Sequence, residues 1–236
     1  MKAKLLSDPS LYHYARQIAT GGMPFRRWVG LYGLNDPGQR IADLGCGPAD
    51  VLRYLHLESL PGFYLGLDLS ERYLEFAEKR ARALGLEHEF MRMDLDRLTT
   101  DPAVAGDLEK VLAERMITRV LLLGVIHHVS DDAARATLDL AFTAPTVQSV
   151  ITSDVVYLPG HRLNNKMCDM DRGEFVRDEP AYDTLVRGSR WPVTKKSFTS
   201  PRFSYIRYIH YSFARSTHDD GHDAGPQTGS GNGSAG

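Results

Sequence analysis

The sequence predicts a doubly wound α/β fold whose seven-stranded, mostly parallel sheet ends in an antiparallel C-terminal hairpin. Short apolar runs alternate with amphipathic stretches from Arg40 to Asp154, as in parallel strands joined by helices. The aliphatic run from Thr118 to Gly124 is continuous, which is typical of a strand buried on both faces of a parallel sheet. Two later apolar runs, over 192–198 and 203–213, have no long helix between them and therefore predict the hairpin.

The strands and helices of the parallel part follow from local signals taken in chain order. The first strand begins at Arg40, and the next ones are predicted over 63–67, 87–93, 118–124 and 147–152. Helices are predicted over 51–57, from the N-cap Ser70 to Gly85, over 108–115 and after the N-cap Ser130, whereas 99–106 is predicted to be a loop.

The folded part of the chain is expected to be one domain, residues 1–215. Residues 1–35 carry apolar and aromatic side chains at helical spacing and predict N-terminal helices that cap the sheet. Residues 158–190 form a polar, helix-leaning insertion after the fifth strand, which is expected to cover the ligand crevice. Residues 216–236 have almost no apolar side chain, so a disordered tail is predicted there.

Composition and charge count against several classes of function. The formal net charge is -2 and there is no long basic run, so nothing indicates binding to nucleic acid or to an anionic membrane. No apolar segment reaches the length of a membrane span or a signal peptide, and a disulfide framework is not expected from two cysteines. The sequence therefore predicts a soluble, cytoplasmic protein, and it leaves the oligomeric state open.

The most informative stretch is the turn after the first strand, Asp43-Leu44-Gly45-Cys46-Gly47-Pro48-Ala49-Asp50. Gly45 and Gly47 can adopt positive φ and let a ligand lie directly against the backbone. The first amides of the helix predicted after the turn would point at the same ligand. This arrangement predicts a flat, polar ligand that lies close to the main chain.

The turn differs from two common nucleotide-binding patterns. A dinucleotide-binding turn carries a third glycine where this chain has Asp50, and a phosphate-binding loop needs a lysine followed by serine or threonine, which is absent. Asp43 and Asp50 on either side of the turn would repel a phosphate but suit a ligand with an ammonium group. We therefore expect a ligand that is more positive than a pyrophosphate.

Two further strands end in an acid at the same edge of the predicted sheet. Asp68 ends the second strand, and its two carboxylate oxygens can accept both hydroxyls of a ribose. Asp94 ends the third strand and can accept from an exocyclic amine such as that of adenine. Taken singly, each acid also has an ordinary explanation as a helix cap or part of a solvated loop. Their common position at the carboxyl ends of parallel strands predicts an adenosyl ligand.

Together with Gly66-Leu67-Asp68-Leu69-Ser70, Asp94-Leu95 and the run from Leu122 to His128, the turn resembles the class I S-adenosylmethionine-dependent methyltransferases. The resemblance covers residues 40–154 and implies a Rossmann-like fold with S-adenosylmethionine as cofactor. The implied cofactor-binding residues are Asp43, Gly45, Cys46, Gly47, Asp68, Leu69, Asp94, Leu95 and Gly124.

By the same resemblance, Asp43, Gly45 and Gly47 hold the amino-acid end of the donor, Asp68 holds its ribose, Asp94 and Leu95 flank its adenine, and Gly124 lines the methionine side. The chain departs from the family at Ala49-Asp50, where a further small residue such as glycine is frequent. Asp171-Arg172-Gly173, with Val176-Arg177 and Tyr182, resembles the substrate-side insertion of a bacterial small-molecule subgroup.

Methyl transfer requires alignment of the acceptor with the methyl group and sulfur, and some acceptors also need a base to remove a proton. His127 and His128 follow the fourth strand, and Asp154 and Tyr157 follow the fifth, so these four residues are the candidate catalytic groups. The alternative for each is a structural role in a cap or in packing. The charged residues of the insertion, among them Asp171 and Arg177, have the alternative of forming a salt-bridged helix surface.

The predicted acceptor is a small molecule, such as an aromatic compound or a natural-product intermediate, methylated at oxygen, nitrogen or carbon. Two alternatives are a protein or RNA methyltransferase and a catalytically silent donor-binding scaffold. No metal site is predicted from spacing, and the histidines and aspartates of the tail suggest at most weak cation binding.

Overall fold

The computed structural model describes residues 29–30, 32–55, 59–171, 173–199 and 206–215. Most of the segment 1–35, where N-terminal cap helices are expected, lies outside the described residues. The tail predicted over 216–236 lies outside them entirely.

The strands of the sheet are β1 Arg40–Leu44, β2 Phe63–Asp68, β3 His88–Arg92, β4 Arg119–Leu123, β5 Ser149–Tyr157, β6 Arg177–Asp178, β7 Val193–Thr199 and β8 Tyr208–Ala214. The main path has the order β3-β2-β1-β4-β5-β8-β7, and the two-residue β6 pairs with β5. β1 to β5 pair in parallel, while β8 runs antiparallel to both β5 and β7. The doubly wound, mostly parallel sheet with its antiparallel C-terminal pair is therefore confirmed.

The α-helices are α1 Glu71–Leu84, α2 Pro102–Glu114, α3 Asp131–Leu140, α4 Arg162–Met170 and α5 Glu179–Arg187. Short 3-10 helices cover Asp50–Tyr54, Leu95–Thr99 and Ile126–His128. None of the described helices is both long and apolar enough to cross a membrane.

Two segments differ from the sequence prediction. The segment after the glycine turn is the 3-10 helix Asp50–Tyr54 rather than a helix over 51–57, because Ala49 is left-handed with φ 49° and Leu55 is already extended. α2 begins at Pro102, inside the predicted loop 99–106, since proline is compatible with the first turn of a helix and Asp101 accepts from the amide of Ala103 as its cap.

α1 forms and ends as its sequence predicts. The hydroxyl of Ser70 accepts from the amide of Tyr73, and Gly85 ends the helix with φ 67°, a conformation that glycine adopts without strain. Its buried side chains, Leu74, Ala77 and Ala81, share one face at helical spacing. This face places α1 against the sheet, directly after the acid that ends β2.

The apolar side chains pack in two layers, one on each face of the sheet. Successive residues of a strand point to opposite faces, so Ala42 of β1 belongs to one cluster and Ile41 to the other. β1 pairs with β2 on one side and with β4 on the other, and the chain order reverses there. In such sheets the ligand crevice lies at the carboxyl ends of the strands that flank this reversal.

Candidate active site

A cavity of about 660 Å³ opens at the carboxyl ends of the parallel strands. All of the expected cofactor-binding residues line it: Asp43, Gly45, Cys46, Gly47, Asp68, Leu69, Asp94, Leu95 and Gly124. Of the candidate catalytic residues, His127 and His128 are among the lining residues, whereas Asp154 and Tyr157 are not. The structure thus brings all of the donor-side candidates to the cavity wall, but only two of the four catalytic candidates.

The glycine turn exposes main chain without side chains, but the amides of three of its residues already donate hydrogen bonds within the protein. The amides of Gly45 and Cys46 donate to the carbonyl of Leu67 at 2.7 and 2.9 Å, and the amide of Gly47 donates to Asp68 at 2.8 Å. Gly45 and Gly47 have φ of 72° and 54°. An added Cβ at Gly47 would have no atom within 4 Å, so the chain is open at this point. A ligand can therefore approach the main chain there closely.

Asp43 and Asp50, the two acids that flank the turn, differ in their partners. Asp43 is buried, and the hydroxyl of Tyr64 donates to its Oδ2 at 2.5 Å. Asp50 lies 3.0 Å from Nε of Arg53 and 3.1 Å from Nη1 of Arg80. These two arginines compensate the charge of Asp50, so it does not repel an anion as its sequence position suggests. Sequence reasoning missed Tyr64 and Arg80, because both reach the turn from other elements.

Asp68 ties the glycine turn to the start of α1. Its Oδ2 accepts from the amide of Gly47 and its Oδ1 from the amide of Ser70, both at 2.8 Å. Each oxygen keeps a further lone pair, so the carboxylate can still accept two hydroxyl groups from a ligand. The side chain therefore has a structural role that does not compete with the expected ribose contact.

Asp94 lies at the cavity wall after β3. Its side chain accepts from the amide of Asp96 and caps the 3-10 helix Leu95–Thr99. Burial, with Asp94 and Glu174 nearby, raises the pKa of Asp96, which lines the same wall. The part of the cavity next to the glycine turn is thus acidic, as the acids at the ends of the strands predicted.

His127 is buried between two carboxylates. Its Nδ1 lies 2.8 Å from Oδ1 of Asp154, and its Nε2 lies 3.2 Å from Oδ1 of Asp171. Burial alone would lower the pKa of His127, but the hydrogen bonds to the two aspartates outweigh it and raise the pKa to about 9. Burial opposes ionisation of Asp171, yet the contact with His127 brings its pKa down to about 2. With both ring nitrogens engaged, His127 has no open position from which to act as a base in this arrangement.

His128 and Tyr157 have different positions. The ring of His128 lies against that of His127, with centroids 4.2 Å apart, and its side chain is exposed at the cavity. Tyr157, the last residue of β5, donates from its hydroxyl to Asp169 at 2.8 Å. Burial and Asp169 raise the pKa of Tyr157 to about 12. Of the four candidate catalytic residues, His128 is the one whose side chain is both exposed and at the cavity.

Asp154 lies inside β5 rather than at its end, because the strand continues to Tyr157. Its carboxylate accepts from both the backbone amide and the ring of His127. It is therefore a buried partner of His127, and it reaches the cavity only through that ring.

Arg177 fastens the insertion to the segment after β4. It donates to the carbonyls of Ile126 and Val129 at 2.9 and 3.0 Å, and its guanidinium lies 2.7 Å from Asp131. It also donates to the carbonyl of Phe175. The alternative of a salt-bridged helix surface is wrong for Arg177, whose side chain is 8% exposed. The pairing of Arg177 with this segment has no signal in local sequence, since the partners lie about fifty residues apart.

The remaining wall of the cavity is largely apolar. It includes Met167 and Met170 of α4, Ile206 and Tyr208 near the C-terminal strand, and Tyr32. Together with His128 and Asp171, these residues form what we call the acceptor end of the cavity. The donor end comprises the glycine turn and the acids Asp43, Asp68 and Asp94.

Comparisons with known proteins agree with this geometry. Residues 41–144 match the family model of a methyltransferase domain. No curated protein sequence matches the chain significantly. Among solved structures, magnesium protoporphyrin IX methyltransferase from Synechocystis PCC 6803 with bound SAH is 20% identical, with a TM-score of 0.53 and 80% of each chain covered.

Two further structures are similar in fold. An S-adenosylmethionine-dependent methyltransferase from Clostridium acetobutylicum is 12% identical, with a TM-score of 0.60, covering 87% of this chain and 97% of that one. An enzyme that converts a disulfide bond into a thioacetal group in echinomycin biosynthesis is 17% identical, with a TM-score of 0.58 and coverage of 84% and 82%.

The sheet order defines a doubly wound domain, and the acid-lined turn forms part of a cavity at the carboxyl ends of its strands. The match over residues 41–144 indicates a methyltransferase domain, and the proteins of similar fold include S-adenosylmethionine-dependent methyltransferases.

Proposed function

We propose that this enzyme transfers the methyl group of S-adenosylmethionine to a small molecule bound at the acceptor end of the cavity. The observation that carries the proposal is the continuity of the cavity, which runs from the glycine turn to the insertion. Its volume of about 660 Å³ lies within the usual range of small-molecule sites, roughly 300–1,000 Å³.

The donor end suits the charge and shape of S-adenosylmethionine. In our proposal Asp43 and the glycine turn hold the amino-acid part, Asp68 accepts from the ribose, and Asp94 with Leu95 flanks the adenine. The donor carries a sulfonium and an ammonium group, and carboxylates at this end attract both. Gly124, with φ 79°, lies where β4 ends and would line the methionine side.

The acceptor end suits a modest aromatic or amphipathic molecule. Its wall is mainly thioether and aromatic, and a few polar groups in an apolar site fix the orientation of a ligand. Similar folds serve small molecules, as the names of magnesium protoporphyrin IX methyltransferase and geranyl diphosphate methyltransferase state. The atom of the small molecule that accepts the methyl group is an oxygen, a nitrogen or a carbon.

The residues of the acceptor end would act mainly by alignment. The donor is already activated, so the rate depends on holding the acceptor in line with the methyl group and sulfur. His128 is the candidate that can touch the acceptor, and Asp154 and His127 hold the segment that carries it. A cytoplasmic location and the absence of nucleic-acid partners stay predictions from the sequence.

Donor binding is tested with two ligands measured by calorimetry. S-adenosylhomocysteine has the amino-acid part, whereas methylthioadenosine keeps ribose and adenine but lacks that part. Replacing Asp68 by alanine should lower the affinity for both ligands by about 10- to 100-fold, which corresponds to the loss of one charge-assisted hydrogen bond. Asp43→Asn should weaken S-adenosylhomocysteine alone. Equal affinities of wild type and Asp68→Ala for both ligands would refute the ribose contact.

The acceptor is identified with methyl-labelled S-adenosylmethionine and a metabolite extract. We expect one or a few labelled small molecules, and replacing His128 by glutamine should lower the rate of labelling without changing affinity for S-adenosylhomocysteine. Label that appears only on protein or RNA would contradict the proposed substrate class. A complete blank with normal donor binding would instead favour a donor-binding scaffold.

A further inference from the structure

His127, His128 and Asp171 bring metal-binding atoms together at the acceptor end. Their candidate ligand atoms lie within 4.8 Å of one another, and Nε2 of His127 is 3.2 Å from Oδ1 of Asp171. Two ligands bound to one ion at about 2.1 Å lie roughly 3–3.5 Å apart in tetrahedral geometry. The pair from His127 and Asp171 already has that spacing. The exposed ring of His128 lies beside it, where a rotation of the side chain can complete the set.

Asp154 holds His127 in the orientation that a ligand to an ion requires. It accepts from Nδ1 of the ring at 2.8 Å, which leaves Nε2 directed toward Asp171 and the cavity. It also accepts from the backbone amide of His127, so the carboxylate and the ring are fixed to each other. In protein metal sites a carboxylate usually accepts from the other ring nitrogen of a metal-binding histidine in this manner and fixes the orientation of the ring.

The main chain of the insertion packs against the ring of His127. A Cβ at Gly173 would lie 2.2 Å from Cδ2 of His127, so this position accommodates only a glycine. The amide of Phe175 donates to the carbonyl of His127 at 2.9 Å. These contacts bring Asp171 to His127 from a different part of the chain, and they limit how far the two side chains can separate.

We propose that His127, His128 and Asp171 bind one divalent transition-metal ion, with Asp154 as the residue that orients His127. Two imidazoles and one carboxylate suit ions such as Zn²⁺, Co²⁺ or Mn²⁺ better than Ca²⁺ or Mg²⁺. An ion bound here would displace the proton between Nε2 of His127 and Asp171, and its double positive charge would balance the two carboxylates of Asp154 and Asp171. Three protein ligands leave coordination positions that face the cavity.

The site goes beyond the proposed function, and one consequence of it rests on that function. The position of a Cβ at Gly124 would be 3.6 Å from Cε1 of His127, so the ion would lie next to the expected methionine side of the donor. There it would hold an acceptor oxygen and lower the pKa of an acceptor hydroxyl. Ion binding itself requires neither donor nor acceptor and can be tested without them.

The test is a titration of the full chain, freed of metal with a chelator, with Co²⁺ followed by visible absorption and with Zn²⁺ followed by calorimetry. We expect one ion per chain, a visible ligand-field band for Co²⁺, and little heat with Mg²⁺. Asp171→Asn and His128→Gln should each lower the affinity for Zn²⁺ by at least about tenfold. Both side chains are partly or fully exposed, so the variants should fold, which circular dichroism and thermal unfolding check.

Two control variants separate this site from other histidines. His88→Gln removes a histidine of β3 that lies beside Glu78 of α1, and the double variant His218→Gln with His222→Gln removes two histidines of the tail. Both should bind Zn²⁺ as wild type does. Loss of the ion in the tail variant, unchanged binding in Asp171→Asn and His128→Gln, or no binding at all would overturn the proposal. S-adenosylhomocysteine binding in the same samples shows whether the proposed function fails with it.

Discussion

The donor end and the acceptor end of the cavity are built in different ways. At the donor end, the chain folds back on itself over short distances, and most contacts join the glycine turn to the end of β2. The amide of Gly47 donates a hydrogen bond to Asp68, which lies 21 positions further along the chain, and Asp68 also accepts from the amide of Ser70. At the acceptor end, side-chain contacts join segments that are further apart, such as His127 with Asp171 and Arg177 with Asp131.

The difference indicates that residues of the acceptor end can be replaced while the contacts of the donor end are kept. The donor end depends on backbone conformation, which tolerates few substitutions, and the hydrogen bonds of its glycine turn come from β2 rather than from the insertion. The acceptor end depends on charged side chains, most of them buried, from the segment after α4, from β5 and β6, and from the segment after β4. Such a region can be rebuilt for another substrate while the turn and the strand ends stay the same. The following predictions test this division.

The largest effect is expected for Arg177→Met. The substitution removes the donors for the carbonyls of Ile126, Val129 and Phe175 and the ion pair with Asp131. Breaking such a buried network should lower the free energy of unfolding by about 3–5 kcal/mol, measured by urea denaturation. Turnover should fall, while affinity for S-adenosylhomocysteine should change by less than about threefold, because the donor end makes none of these contacts.

Arg135→Met is the matched control, since Arg135 also contacts Asp131 but its side chain is 33% exposed, against 8% for Arg177. It should change stability by less than about 1 kcal/mol. Similar losses in the two variants, or a large loss of donor affinity in Arg177→Met, would contradict the division between the two ends.

The next effect concerns pH and His210 of β8, which pairs in register with Ser153 behind the acceptor end. Burial lowers the pKa of His210 to about 4, although Asp154 opposes the shift. Between pH 6.5 and 4 the unfolded chain binds a proton that the folded chain does not, so stability is present above pH 6.5 and falls on acidification. A shift of this size corresponds to about 3 kcal/mol.

The measurement is urea unfolding of wild type and His210→Gln at several pH values. The difference between the two curves should change by about 3 kcal/mol from pH 7 to pH 4, with wild type losing more. Parallel curves would show that His210 is not held neutral in the folded state. The comparison is made between variants because other groups titrate in the same range.

The smallest effects are expected at the donor end, for Gly45→Ala and Gly47→Ala. Both residues have positive φ, which costs an alanine about 1–2 kcal/mol. A Cβ at Gly45 would also lie 2.7 Å from Cγ2 of Val125, whereas one at Gly47 meets open space. Gly45→Ala should therefore destabilise by about 2–3 kcal/mol and Gly47→Ala by about 1 kcal/mol.

The extra destabilisation of Gly45→Ala can be assigned with a double-mutant cycle. If it comes from Val125, then combining Gly45→Ala with Val125→Ala should destabilise less than the sum of the two single variants. Additive effects, or equal losses for the two glycine variants, would mean that backbone conformation alone accounts for the cost at both positions.

The sheet, the edge at which the cavity opens and the residues that line its donor end could all be predicted from local sequence. Alternation of apolar and polar residues, glycines and strand-end acids are local features, and parallel strands bring their ends to one edge by geometry alone. Asp43, Asp68 and Asp94 could therefore be predicted without the tertiary structure. The exception is the segment after the glycine turn, where the left-handed Ala49 leads into a short 3-10 helix.

The contacts of the acceptor end, in contrast, could be identified only in the folded chain. His127 looked like a candidate base at the end of a strand, but Asp171 and Asp154 reach it from 44 and 27 positions away and engage both ring nitrogens. Arg177 looked like a surface charge until its carbonyl partners after β4 were known. Such pairings depend on how the insertion packs against the sheet, and no periodicity or spacing in the chain encodes them. For the same reason, the grouping of His127, His128 and Asp171 became visible only in three dimensions.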